Sequence, residues 1–232
     1  MSDPILSANL LVNRSPAKVK TAARRHLADR PLVGAFQEAG GYVPQLRALA
    51  KALGYDTPIV ARKRAGHGLN SNVLMIRADV PVYAQGVAKV RVPWVGPRLR
   101  IQWPGRAFPW ADIDLDDRRI LVVNVHMPTE GRGINRLAWI ACKRRLRKLV
   151  HNQHTQDRGF VLVGDWNNRR DDHGPQSIQR FADSLDAHVV RGGSPIDYAV
   201  VSRGLDLRGV RGPARGSDHP STTYRINGAA TA

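Results

Sequence analysis

Phe160-Val161-Leu162-Val163-Gly164-Asp165-Trp166-Asn167 is the stretch on which the reading of this chain turns. Its apolar run reads as a buried strand. An acid and an amide at the end of such a strand are poor core residues, because a buried carboxylate must be paired. They are good ligands for a hard cation or a phosphate oxygen. Farther on, Ser217-Asp218-His219-Pro220 sets a carboxylate beside an imidazole. Together the two stretches point to metal-assisted phosphoester chemistry, which requires further acids, amides and histidines elsewhere in the chain.

The flanking segments alternate between strands and helices. A first strand is expected over 5–12. Ser15-Pro16 supplies an N-cap and first-turn proline for a helix to about residue 28, with Val19, Ala22, Ala23 and Leu27 as its apolar stripe. A second buried strand, 32–36, ends at Gln37-Glu38. The next helix carries Leu46, Leu49, Ala50 and Leu53 on one face and closes at Gly54. Short strands follow at 58–61, 72–76, 87–92, 99–103 and 120–125, punctuated by glycine and proline. A helix over 135–151, the strand 160–163, a helix over 176–187 and strands at 198–201 and 222–226 complete the pattern. There is no solenoid repeat and no low-complexity linker. The expectation is one domain over residues 1–232 with a frayed tail at 227–232, in the α/β class: two packed sheets flanked by helices.

Composition narrows the setting. A 232-residue chain with 42% hydrophobic residues has enough apolar surface for a substantial core. No apolar run approaches the roughly 20 residues that span a bilayer, and no signal peptide is evident. The single cysteine, Cys142, excludes an intrachain disulfide and a cysteine-based zinc site. These features lead to the expectation of a cytoplasmic protein with no membrane association and no evident protein partner. Lys+Arg number 36 against 19 Asp+Glu, a formal net charge of +17. That excess favours a polyanionic partner, nucleic acid above all.

Polar motifs recur at the ends of the expected strands: Asn9; Gln37-Glu38; Asn124-Val125-His126-Met127-Pro128; Gly164-Asp165-Trp166-Asn167; Ile196-Asp197-Tyr198; and Ser217-Asp218-His219-Pro220. Singly, each has an ordinary use. Asn9 can cap a turn, Glu38 the following helix, and Asp165 can close an Asx turn. Jointly, in this order and each after an apolar run, they are improbable as accidents.

In that order the motifs resemble the endonuclease/exonuclease/phosphatase superfamily, which includes deoxyribonuclease I, exonuclease III and apurinic endonucleases. The resemblance runs from Asn9 to His219. It implies a four-layer α-β-β-α sandwich of two mixed sheets. It also implies roles: Glu38 as ligand of a catalytic Mg²⁺ (Mn²⁺ substituting), with Asn9 beside the metal or phosphate. Asp165 and Asn167 would flank the scissile phosphate, and His126 would lie beside it as donor or general acid. Asp197 would orient His219, and Asp218 would add negative charge near the metal or bind a second ion. The general base, Asp165 or His219, is left open. No carboxylate partner for His126 is identifiable in the sequence.

Basic residues near these motifs point to the substrate. Arg169-Arg170 adjoin the Asp165 motif, and Arg144-Arg145 lie in a basic run of the helix over 135–151. Arg98, Arg100 and Arg106 intermix with Trp94, Trp103 and Trp110, a pattern that can track phosphates and stack bases. The function expected is a Mg²⁺-dependent nuclease acting on DNA. The alternatives are a phosphatase or phosphodiesterase on a small or lipid phosphoester, and an inactive nucleic-acid binder on the same fold.

Overall fold

The computed structural model describes residues 5–10, 15–39, 43–56, 58–61, 72–90, 106–115, 117–128, 134–153, 158–168, 175–215 and 219–227. In chain order the elements are β1 (Ile5–Asn9), α1 (Pro16–His26), β2 (Val33–Gln37), α2 (Val43–Leu53), β3 (Ile59–Ala61), β4 (Asn72–Ile76), β5 (Val82–Lys89), β6 (Ala107–Leu115), β7 (Arg118–His126), α3 (Ile134–Gln153), β8 (Gly159–Asp165), α4 (Pro175–Asp183), β9 (Ala187–Arg191), β10 (Asp197–Ser202), β11 (Leu207–Arg211) and β12 (Thr222–Ile226).

The strands form two six-stranded mixed sheets, ordered β11-β12-β1-β2-β4-β3 and β5-β6-β7-β8-β10-β9. The pairs β1/β2 and β7/β8 are parallel, and the other pairs are antiparallel. Each parallel pair is bridged by a helix, α1 or α3, as a parallel connection requires.

Alternation along the strands builds three apolar layers. Between the sheets lie Ile5, Val33, Ala35 and Leu74 from the first and Ile113, Val122, Val161, Val163 and Ala199 from the second. The opposite face of the first sheet, with Leu6, Phe36 and Met75, receives Val19, Ala23, Leu27, Leu46 and Leu49 of the helical layer on that side. The opposite face of the second, with Val123, Val125, Phe160 and Leu162, receives Trp139, Cys142 and Leu146 of α3 and Phe181 of α4. The order is helices, sheet, sheet, helices, the four-layer sandwich implied by the resemblance.

Most expected elements fall in place, with differences at their ends. The first strand stops at Asn9, and Ser15 makes no side-chain cap bond to α1. Gly54 follows α2 at φ +75, as its closing role requires. The strand expected at 87–92 begins earlier, at Val82. The strand expected at 99–103 and residues 228–232 of the expected tail lie outside the described residues. Strands β6, β9 and β11 add to the expected set. Among the described residues, no helix is long and apolar enough to cross a membrane.

Candidate active site

Both parallel units end at the same pole of the sandwich. Along the inner faces the apolar residues give way there to buried polar ones: Ser7, Asn9, Gln37 and Asn72 from the first sheet, Asn124, His126, Asp165 and Asp197 from the second. Register aligns them. In the second sheet His126 pairs with Asp165, and Asp165 with Asp197, so three functional residues share one rung. In the first, Asn9 pairs with Gln37.

Hydrogen bonds tie the two rungs together. Asn9 Nδ2 donates to Asp165 Oδ2 at 3.3 Å. Gln37 Nε2 donates to Asn124 Oδ1 at 2.7 Å, and Asn124 Nδ2 donates to the carbonyls of Phe36 and Val73 at 2.8 and 2.9 Å. Asn124 and Gln37 therefore hold the sheets together beneath the site.

The strand end at Asp165 is fixed on several sides. Gly164 sits at φ +146, and a Cβ there would lie 1.9 Å from the Val125 carbonyl oxygen. Only glycine lets β7 and β8 approach so closely. Trp166 is fully buried, and its indole N–H donates to the Tyr198 carbonyl at 3.0 Å. Asn167, at φ +49, turns back, its backbone N–H donating to Asp165 Oδ1 at 2.8 Å and its Nδ2 to the Met127 carbonyl at 2.8 Å. Trp166 is thus the anchor that lets Asp165 and Asn167 project from the core.

The histidines flank Asp165. His219, in the segment between β11 and β12, has Nδ1 3.0 Å from Asp197 Oδ2 and Nε2 3.8 Å from Asp165 Oδ2. The first distance is that of a hydrogen bond, the second that of an ion pair. His126 Nε2 lies 3.8 Å from Glu38 Oε1 and 4.0 Å from Asp165 Oδ2. Its carboxylate neighbours, unidentified in the sequence, are therefore Glu38 and Asp165. Glu38 leaves the end of β2 at φ +51.

These surroundings set the charges. Burial alone would lower the His219 pKa, but the carboxylates of Asp165 and Asp197 override it and raise the imidazole to about 11. Burial would push the Asp165 carboxyl up; contact with His219 and the Asn167 N–H hold it below its usual value. Burial, with help from the Arg106 charge, drives His126 down to about 3. At neutral pH the site holds a carboxylate at Asp165, an imidazolium at His219 and a neutral imidazole at His126.

Asp165, Asp197 and His219 offer ligand atoms that all lie within 4.8 Å of one another. His219 is already engaged with Asp197, so this group has the geometry of an acid–base pair. A hard divalent cation prefers oxygen ligands and retains waters. The Glu38 carboxylate, with Asn9 held against Asp165, is an oxygen-bearing set of that kind, and it fits such an ion.

Asp218, Arg169 and Arg170 lie outside the described residues. Arg144 is exposed and Arg145 half-buried on α3, in an outer layer rather than in the acid–histidine cluster. Arg106 is buried, which lowers its pKa; Cys142 first and then Asp165 and Glu38 oppose that, and its own charge acts on His126. The basic–aromatic pattern brought this arginine to notice, but nothing in the sequence places it at the site. A cavity of about 500 Å³ opens at the opposite end of the second sheet, lined by Arg118, Arg158 and Arg203 among others. It adjoins the ends of β7, β8 and β10 remote from His126, Asp165 and Asp197, and no acid–histidine set converges on it.

Two facing mixed sheets, with acids and histidines gathered at the carboxyl ends of the parallel strands, define the class as an α/β-sandwich phosphoester hydrolase. The Endonuclease/Exonuclease/phosphatase family profile matches residues 6–219, and the chain belongs to that family. Members of the family generally use a divalent metal ion. No curated protein matches the sequence. Among solved structures, a Bacteroides thetaiotaomicron mannosyl-6-phosphatase superposes with a TM-score of 0.72 at 17% identity, covering 97% of this chain and 100% of the other. The human Nocturnin catalytic domain with bound sulfate gives 0.71 at 13%, covering 98% and 96%. An AP endonuclease from Leishmania major gives 0.64 at 18%, covering 97% and 88%. At such identities the likeness is one of fold.

Proposed function

We propose that this protein is a Mg²⁺-dependent phosphodiesterase acting on nucleic acid, with DNA as the foremost substrate and Mn²⁺ able to replace Mg²⁺. The observation that carries the reading is the excess of positive charge, +17, on a chain whose site is built for phosphoesters. Part of that charge is placed where the fold gains nothing from it. Arg208 stands directly opposite Arg225 across β11 and β12, both exposed, with no ion pair to either among the described residues. Like charges facing each other across strands are destabilising, and a polyanion relieves them. Arg144, exposed beside the half-buried Arg145 on α3, adds to this reading, and Arg169-Arg170 adjoin the Asp165 motif in the sequence.

The site residues divide the chemistry. Asp165, ionised and buried, accepts a proton from the attacking water and orients it in line with the phosphorus. His219, charged and held by Asp197, donates to a phosphate oxygen as negative charge builds in the transition state. Neutral His126 offers an N–H on the other side, and the second amide hydrogen of Asn167 reaches a phosphate oxygen. Glu38 and Asn9 would hold the Mg²⁺, which when bound would neutralise phosphate charge and acidify a coordinated water.

The test is incubation of purified protein with supercoiled plasmid, linear duplex, single-stranded DNA, RNA and an abasic oligonucleotide, with Mg²⁺ and with EDTA. Nicked circles identify an endonuclease, and shortening from ends an exonuclease. Full cleavage in EDTA contradicts the metal requirement. Inertness on all five substrates turns the reading to a small phosphoester, the substrate class named for the mannosyl-6-phosphatase of the same fold. A catalytically silent binder is disfavoured because the chain carries Glu38, His126, Asp165, Asn167, Asp197 and His219 together.

A further inference from the structure

Four stretches of chain meet at the pole of the second sheet remote from Asp165. The start of β7 brings Arg118 and Arg119, the entry to β8 brings Arg158, the segment before β9 brings Leu185, and the turn after β10 brings Arg203 and Gly204. They enclose the cavity of about 500 Å³, a size suited to one small molecule. Arg118 opens β7 and His126 closes it. Eight residue steps at about 3.3 Å set the two poles roughly 26 Å apart. A small molecule in the cavity therefore does not touch the acid–histidine cluster.

Four arginines line this cavity against two aspartates, Asp117 and Asp186. Arg119 donates through Nε and Nη2, at 2.9 and 2.6 Å, to Asp112 Oδ2. Arg158 Nη1 donates to the same oxygen at 3.3 Å. One buried carboxylate thus holds two guanidiniums side by side. Arg119 also lies over the Tyr83 ring, 4.2 Å from its centroid. Arg118 has no acid partner among the described residues, and its Nη1 donates to the Gly204 carbonyl at 3.0 Å. Arg203 does pair with Asp186 at 2.9 Å, but both side chains are more than two-thirds exposed, where an ion pair contributes little. A guanidinium carries several N–H groups, so donors remain on Arg118, Arg119 and Arg158 beyond these bonds.

Arginines already held in place lose little freedom when an anion arrives, and their planar forks match phosphate oxygens in charge and geometry. Nucleic-acid backbones are tracked by extended basic grooves, whereas these cations converge on a recess. We propose that the recess is a second ligand site, taking a small molecule of nucleoside-diphosphate size that carries two or more phosphate groups. Its phosphates engage Arg118, Arg119 and Arg158, and its uncharged part lies against the half-buried Leu185. The phosphoester reading of the other pole is not required for it.

The experiment records amide NMR spectra of the full chain in EDTA while ADP, pyrophosphate or adenosine is added. The expected result is saturable movement of the Gly159, Leu185 and Gly204 signals with ADP and pyrophosphate, and adenosine at least about tenfold weaker. Two variants test the residues. Arg118→Gln removes a cation bonded only to a carbonyl among the described residues. Gly204→Glu adds a carboxylate where a Cβ meets no atom within 4 Å. Each should weaken ADP binding at least about tenfold without lowering the thermal unfolding temperature. Should one variant fail to fold, the other decides. Any of four results overturns the proposal: no movement at millimolar ADP; movement confined to Gly164 and Asn167, which assigns the nucleotide to the other pole; adenosine binding as tightly as ADP; or wild-type ADP affinity in either folded variant. A short DNA duplex that moves the same signals at lower concentration than ADP also overturns it, making the recess part of a nucleic-acid surface.

Discussion

His219 Nδ1 lies 3.0 Å from Asp197 Oδ2, although His219 sits in the segment before β12 and Asp197 begins β10 in the other sheet. The contact fixes the imidazole so that its other nitrogen faces Asp165, and the two carboxylates keep it protonated. Asp197→Asn retains the shape and removes the charge. We expect kcat to fall about 10²- to 10⁴-fold with KM little changed, by analogy with other acid-supported histidines. The His219 pKa should fall from about 11, as followed by NMR titration. An unchanged kcat would show that His219 needs no orienting acid.

The pairing of Asp197 with His219 was legible as an implication of the motif order, because alternation along each strand carries the acids and amides onto one face. The architecture was legible for the same reason: the runs at 160–163 and 32–36 are apolar on both faces, as strands between two layers must be. Other parts were hidden. β6 contains Pro109, which argues against an interior strand. The structure accommodates it because Pro109 pairs with Val87 of β5, before the β6–β7 ladder starts at Trp110. β9 and β11 are edge strands whose arginines break the apolar pattern. The bond between Gln37 and Asn124 spans two sheets, and no local pattern encodes which sheet faces which. Arg106 is visible in the sequence only as one more basic residue.

Gly164 offers a test of how tightly β7 and β8 must pack beside the catalytic rung. In Gly164→Ala the new Cβ would meet the Val125 carbonyl oxygen at 1.9 Å and strain a backbone at φ +146. Backbone movement next to His126 is the only relief. The expected cost exceeds about 3 kcal/mol, read as a lowered urea midpoint with an unchanged m-value. A loss below about 1 kcal/mol would mean that the strands part easily and that the rung is not rigid.

Glu38 is held at the end of β2 by a left-handed backbone, 3.8 Å from His126. As the expected carboxylate ligand, it should set the metal requirement. Glu38→Gln removes the charge but keeps an oxygen, so activity should return only at Mg²⁺ concentrations about ten- to a hundredfold higher, with an unchanged fold. Activity that titrates with Mg²⁺ as in wild type would move the metal to other ligands.

His26 closes α1, buried against Phe36 with ring centroids 6.5 Å apart, and its Nε2 has no hydrogen-bond partner among the described residues. Burial, with the Arg215 charge beside it, lowers its pKa from 6.5 to about 4. Between those values the unfolded chain takes up a proton that the folded chain refuses, so stability rises with pH across the window. The stabilising contribution is complete above about pH 6.5 and is lost as pH falls through about 4. At pH 5 the linkage amounts to about 2 kcal/mol. His26→Leu removes the titrating group and keeps an apolar side chain in an apolar layer. Urea unfolding at pH 7.5 and pH 5 should therefore show wild type losing about 2 kcal/mol more than the variant between the two conditions. His126, also depressed, is present in both proteins and cancels in the comparison. Equal losses in the two proteins would show that His26 is protonated in the folded chain at pH 5, and that the α1 layer admits water there.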